Sequence, residues 1–188
     1  MASSGIESDI SLITTERLLI RPTTLDDTEA IYQLRSNPQV VYWQTPATRS
    51  EALEWLETKL ADPLSIVHSV SLREHPEDVV GSIGGTLPFV GYSYQPYVWN
   101  KGYATEALKA LIDIYWKHWP DGHPLLEESK RGSLMARTGQ DDLKSPKVLK
   151  KCGFSQIGTY EVEEEGKTVI LDQWELKKPL SSIGQFNA

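Results

Sequence analysis

The spacing of apolar residues changes period along this chain, and that change limits the folds open to it. Leu12, Ile13, Leu18 and Ile20 mark a first strand within 11–22. Ala30, Ile31 and Leu34 then form a helical stripe that stops before Asn37-Pro38, and Thr24 with Asp27 three residues on reads as its capping box. A second helical stripe, Ala52, Leu53, Leu56 and Leu60, follows within 50–60. From 65 to 95 the period is that of strands, 65–73, 79–87 and 89–95, separated by Glu74-His75-Pro76-Glu77-Asp78 and by Pro88; this reads as a meander of three antiparallel strands. The helical period returns over 102–119, with Ala104, Ala107, Leu108, Leu111, Ile112, Tyr115 and Trp119 on one side and Pro120-Asp121-Gly122 at its end. After a polar surface connection, 132–138 reads as a strand. Ser145-Pro146 opens a short helix with Ser145 as N-cap, Gly153 ends it, and strands 155–163 and 167–178 close the chain around a solvated tip of Glu161, Glu163, Glu164 and Glu165. The order β-α-α-β-β-β-α-β-α-β-β is an α+β arrangement with no internal repeat.

With 188 residues, 39% of them hydrophobic and 24% charged, the chain can bury a core without disulfide or metal. We expect a flexible leader at 1–11, one domain over 12–178 and a tail at 179–188. Nineteen Lys+Arg against 26 Asp+Glu leave a net charge of −7, which opposes a broad grip on phosphate backbones and disfavours a nucleic-acid partner. It does not oppose a local anion pocket made of backbone N–H groups. Cys152 is the only cysteine, and His68, His75, His118 and His123 have no spacing typical of a metal site, so no metal is expected. The first residues lack the basic and apolar regions of a signal peptide and no stretch approaches a membrane span; a cytoplasmic protein without a membrane partner is expected.

The segment Tyr94 to Thr105 joins a strand to the longest helix, and it is the natural anion site of the chain. Free N–H groups at a helix N-terminus meet the positive end of the macrodipole there, and Gly102 and Ala104 are small enough to let a phosphate approach the backbone. Neither a nucleotide P-loop, a dinucleotide turn nor a nucleophile elbow is present.

Gly91-Tyr92-Ser93-Tyr94-Gln95-Pro96, followed by Trp99-Asn100-Lys101-Gly102-Tyr103-Ala104-Thr105-Glu106-Ala107-Leu108, resembles the acetyl-CoA-binding strand, loop and helix of the GNAT N-acetyltransferase superfamily. Thr14-Thr15-Glu16-Arg17-Leu18-Leu19-Ile20-Arg21-Pro22 is similar to the first strand of its ribosomal-protein alanine N-acetyltransferase branch. Asp142 to Phe154 is similar to that branch's Asn-x-x-Ser…Leu-x-Lys-x-Gly-Phe block. The resemblance implies a mixed, mostly antiparallel sheet of about seven strands with helices on both faces, splayed between the fourth and fifth strands (89–95 and 132–138) to admit pantetheine. It further implies that backbone groups of Tyr92, Ser93 and Tyr94 face the pantetheine, that Trp99, Asn100, Lys101, Gly102, Tyr103, Ala104 and Thr105 surround the diphosphate, and that Asp142 stands at the cofactor-side Asn position. Trp99 occupies a place usually held by Arg or Gln, and Asn100 one that is often Gly.

The same resemblance gives acetyl-CoA as acyl donor and a primary amine, a protein N-terminus or a small molecule, as acceptor, with direct attack in a ternary complex on a monomer or homodimer. It makes Ser145 the hydrogen-bond donor to the leaving thiol, whose pKa of about 8.5 demands little more; the competing role for Ser145 is the helix cap. Tyr42 and Trp43 fall in the loop that faces acceptors in this branch. From reference pKa values, deprotonating the acceptor at pH 7 costs about 4.6 kcal/mol for a lysine and about 1 kcal/mol for an α-amine. No general base is assigned among Glu16, Glu106 and Asp172. Cys152 reads as a packing residue and Lys144, Lys147, Lys150 and Lys151 as a solvated face. The rival reading is a catalytically silent CoA-binding regulatory or scaffold domain, which Asp142 in place of Asn keeps open. The acidic surface favours a cationic acceptor.

Overall fold

The computed structural model describes residues 10–41, 47–164 and 167–179. Its elements are β1 (Ile13–Thr14), β2 (Leu18–Pro22), α1 (Thr28–Ser36), α2 (Arg49–Ala61), β3 (His68–Leu72), β4 (His75–Gly84), β5 (Gly91–Tyr94), α3 (Tyr103–His118), β6 (Ser133–Gly139), α4 (Ser145–Lys151), β7 (Ser155–Glu164) and β8 (Lys167–Lys177). The strands form two antiparallel sheets, β1-β2-β3-β4-β5 and β6-β8-β7. A single parallel bridge between Phe89 and Met135 joins them, with Val90 N–H donating to the Met135 carbonyl at 2.8 Å and Met135 N–H to the Pro88 carbonyl at 2.8 Å.

Two boundaries differ from those read in the sequence. The strand expected over 11–22 is interrupted at Thr15, whose hydroxyl accepts the Leu18 N–H at 3.0 Å, so the described residues hold eight strands where about seven were expected. The segment His75–Asp78, read as a connection, is the first part of β4, with Leu72 opposite His75. All four of its residues are exposed, so no apolar alternation betrays the strand. The 120–132 connection folds on itself, as expected of a surface excursion only in part. His123 and Leu126 are buried, and Arg131 donates to the Leu126 carbonyl at 2.8 Å and the Pro124 carbonyl at 2.7 Å.

Alternation along the strands separates two faces. Leu18, Ile20, Val70, Ile83, Leu134, Ala136 and Trp174 are buried in one core with Ala107, Leu108, Leu111 and Tyr115 of α3. On the opposite face Ile31, Leu34 and Leu56 pack α1 against α2 in a smaller cluster. The capping box at Thr24 is present, with its N–H donating to Asp27 Oδ2 at 2.9 Å. Asp27 does more than cap. It is 5% exposed, receives both guanidinium arms of Arg21 at 2.6 and 2.8 Å and accepts the Ser69 hydroxyl at 3.0 Å, so it ties α1 to β2 and β3.

Burial works against the Asp27 charge, but the bonds from Arg21, Thr24 and Ser69 outweigh it and hold the carboxyl below the ordinary carboxylate range. A lowered folded-state pKa contributes stability that is complete above the unfolded value and lost as pH falls through the folded one. Asp27→Asn is therefore expected to cost about 1–3 kcal/mol at pH 7. In urea titrations this deficit is expected to shrink as pH drops below about 4; a deficit independent of pH contradicts the assignment.

Candidate active site

Beyond the Phe89–Met135 bridge, β5 and β6 run in the same direction without pairing. Val90 N–H points to β6, whereas Gln95 N–H donates to the Val80 carbonyl of β4 at 2.9 Å. Period-two alternation then turns the main-chain groups of Tyr92 and Tyr94 toward the gap and those of Ser93 toward β4, opposite Ser82. The expectation that all three residues present their backbone to the gap is corrected for Ser93, whose groups the sheet already uses.

The gap opens onto the loop that leads into α3. Asn100 and Gly102 both take left-handed conformations, φ 61° and 84°, which turn the chain into the helix; asparagine is among the non-glycine residues that adopt this conformation most readily. Gly102 is the N-cap, and its carbonyl receives Glu106 N–H at 3.0 Å. Among the described residues no hydrogen bond takes the backbone N–H of Asn100, Lys101, Gly102, Tyr103, Ala104 or Thr105. Six consecutive donors at the positive end of α3, half of them on exposed residues, make a concavity suited to a diphosphate.

This loop is braced from the other end of the chain. Glu106 accepts the Thr15 hydroxyl at 2.6 Å, Arg17 N–H at 3.0 Å and Arg17 Nε at 2.7 Å, while the same guanidinium donates to the Lys101 carbonyl at 2.9 Å and lies 4.6 Å from the centroid of the Tyr103 ring. Burial opposes the Glu106 charge, but the Thr15 and Arg17 donors outweigh it and keep the carboxyl below its ordinary range. Glu106 is thus a carboxylate whose oxygens are committed to holding the loop. Beneath the loop, the buried Tyr94 ring lies over Gly81, where a Cβ would run into it, and its hydroxyl has no protein partner. Trp99 donates its indole N–H to the Tyr94 carbonyl at 2.7 Å, so the bulky residue at the usual Arg or Gln position anchors the loop to β5.

The other wall is the start of α4. Ser145 is its first helical residue, and the cap expected of it comes from Asp142, whose Oδ1 accepts both Lys144 N–H and Ser145 N–H at 2.9 Å. This task needs only an acceptor oxygen, which Asp supplies as Asn would, and it leaves the half-buried Ser145 hydroxyl uncommitted. Tyr92 crosses the gap and donates its hydroxyl to the Ser145 carbonyl at 3.3 Å; burial pushes that phenol well above its ordinary pKa, so it stays protonated. Lys144 sits over the Trp99 ring at 3.8 Å and Lys150 near the Trp174 ring at 5.8 Å, while Lys147 and Lys151 are exposed. Cys152 packs between α4 and α3, its sulfur 3.7 Å from the Thr105 carbonyl, and burial raises its thiol to about 11, which keeps it un-ionised at neutral pH.

Tyr42 and Trp43 lie outside the described residues. Glu16 is exposed, and Asp172 is half-buried on β8 between Thr138 and Thr159. His75, Glu77 and Asp78 bring three ligand-type atoms within 4.8 Å of one another on an exposed hairpin remote in sequence from these elements. The brace residues Thr15 and Arg17, and Gly81 under the Tyr94 ring, escaped the sequence reading, although Thr15 and Arg17 stand inside the Thr14-to-Pro22 block that carried part of the resemblance.

Residues 17–155 match the family described as Acetyltransferase (GNAT) domain. The chain belongs to this family. It is an acetyl-CoA-dependent N-acetyltransferase by that membership, and the splayed sheet is the GNAT fold. It is similar to the uncharacterized N-acetyltransferase YnaD of Bacillus subtilis (strain 168), 26% identical over 156 residues that cover 79% of this chain and 85% of that one. A GNAT-family acetyltransferase from Bacillus anthracis superposes with a TM-score of 0.69 at 21% identity, covering 89% of this chain and 98% of the other. The ribosomal L7/L12 α-N-protein acetyltransferase RimL, solved in complex with coenzyme A, gives a TM-score of 0.70 at 13% identity, covering 89% and 98%. No helix among the described residues is long and apolar enough to cross a membrane.

Loss of the brace is expected to loosen the amide loop. Arg17→Ala and Glu106→Gln are each expected to weaken acetyl-CoA binding about tenfold by calorimetry; unchanged affinity in both separates the brace from the site. Cys152→Ala is expected to keep its turnover, and loss of all turnover with cofactor still bound makes the thiol a participant.

Proposed function

We propose that this N-acetyltransferase moves the acetyl group of acetyl-CoA to a primary amine by direct attack in a ternary complex. The observation that carries the reading is the row of six unpartnered amides, Asn100 to Thr105, at the mouth of the gap between β5 and β6. The diphosphate lies on those amides, and pantetheine fills the gap as an added strand against the free edges of Tyr92 and Tyr94. That RimL is solved with coenzyme A supports the same placement.

In this reading the amine nitrogen attacks the thioester carbonyl, the C–S bond breaks as the amide C–N bond forms, and Ser145 donates a hydrogen bond to the departing sulfur. The ammonium proton leaves to water. A sulfur of pKa about 8.5 is close to a stable anion at neutral pH, so one donor is sufficient. No carboxylate among the described residues is placed as a strong base, which favours an α-amine, with its deprotonation cost of about 1 kcal/mol, over a lysine. Holding the two reactants together supplies much of the acceleration. Asp142 has its own task as the α4 cap, so its presence is no argument for a silent binding domain.

Mass spectrometry after incubation with acetyl-CoA and a library of N-terminal peptides, lysine peptides, polyamines and amino acids tests the activity; thermal stabilisation by acetyl-CoA with no acetylated product favours the silent domain instead. Ser145→Ala is expected to lower kcat about 10- to 100-fold with little change in acetyl-CoA affinity. Gly102→Val, which forces a β-branched residue to φ 84° and adds bulk over the amides, is expected to weaken acetyl-CoA binding at least tenfold. Wild-type affinity in that variant removes the loop from the site.

A further inference from the structure

The strand β6 carries a second feature beside the gap. Leu134 and Ala136 point into the core with α3, so Met135 and Arg137 face the opposite side of the sheet. Met135 forms the bridge at which β5 and β6 part, and Arg137 stands two residues, or about 7 Å, beyond it along the edge of the gap. Its guanidinium carbon lies over the rings of both Phe89 and Tyr160, 4.2 and 4.4 Å from their centroids. Arg137 is exposed and, among the described residues, forms no ion pair and donates no side-chain hydrogen bond. Two rings therefore hold this planar cation in place, while its N–H groups stay unspent. Such an edge is matched to a carboxylate, which accepts two parallel bonds from it.

The acceptor has to reach the gap from this side. On the α3 and α4 side the two walls are already tied by Tyr92 to the Ser145 carbonyl, by Cys152 to the Thr105 carbonyl and by Lys144 on the Trp99 ring. The opposite face offers Arg137 at the point of entry. We infer that Arg137 recognises the acceptor and that the amine acetylated by this enzyme carries a carboxylate, either the α-carboxylate of a small amino acid or an acidic side chain next to a peptide N-terminus. The inference rests on the proposed seating of the thioester between β5 and β6. It runs against the cationic acceptor that the net charge of −7 suggests, because a local, preoriented fork outweighs a diffuse field that salt screens within about 10 Å.

Matched acceptors test it: serine against serinamide, and a Ser-Asp peptide against the same peptide with Ser-Asn, with wild type, Arg137→Met and Arg137→Lys. In wild type the carboxylate member of at least one pair is expected to have a kcat/KM about tenfold or more above its amide. Arg137→Met is expected to bring that ratio near one through KM, and Arg137→Lys to fall between. Acetyl-CoA affinity by calorimetry is expected to match wild type in both variants, which also certifies their folding. Preference within the serine pair alone identifies a free amino acid, and preference within the peptide pair alone an acidic N-terminal sequence; either supports the inference. Equal rates within both pairs in wild type, or a preference that survives in Arg137→Met, overturn it. Failure of wild type to bind acetyl-CoA removes the seating of the thioester instead, and the inference with it.

Discussion

Phe89 and Met135 make a parallel bridge, and beyond it the edges of β5 and β6 are not paired with each other. An unpaired strand edge inside a fold is costly unless something satisfies its N–H and C=O groups. Here part of that demand is met by Trp99, which donates to the Tyr94 carbonyl, and the remainder is the edge on which the proposed pantetheine site rests. The helices follow from the same geometry: α3 begins where β5 ends and α4 where β6 ends, so both helix N-termini converge on the mouth of the gap.

A loop with six unbonded amides would not hold its shape unaided. The brace built from Thr15, Arg17 and Glu106 joins the β1–β2 turn to the first turn of α3, spanning about ninety residues of sequence with charge-assisted bonds to one carboxylate. The interruption of the first strand at Thr15 is the counterpart of this brace, since a continuous strand would carry these side chains past the helix. Asp142 does the equivalent work on the other wall, holding the first amides of α4 and leaving Ser145 free.

Much of this is legible in the sequence. The helical stripes of α1 and α3, the Thr24–Asp27 capping box, the meander and the glycine-containing entry to α3 are local signals, because each is decided by residues within a turn or two of one another. The hidden parts were hidden for definite reasons. Residues 75–78 form a strand with no buried side, so they carry no alternation. Ser145 followed by proline reads as a cap, but the helix begins one residue earlier: Lys144 is the N-cap, its carbonyl takes the Lys147 and Val148 N–H groups, and Asp142 takes those of Lys144 and Ser145. Whether a main-chain group of Tyr92, Ser93 or Tyr94 faces the gap depends on register with β4, and a one-residue shift would reverse it.

The sequence by itself determined most of the order of elements, the family and the glycine-containing loop that leads into α3, since these rest on periodicity and short contiguous motifs. Only the tertiary structure decided that Glu106 braces the loop through Arg17, that Asp142 holds the first amides of α4, and that Arg137 lies over the rings of Phe89 and Tyr160 beside the gap. Those roles come from groups brought together across strands that are distant in the chain, and charge or aromatic character at one position cannot reveal its partner until the sheet sets the distance.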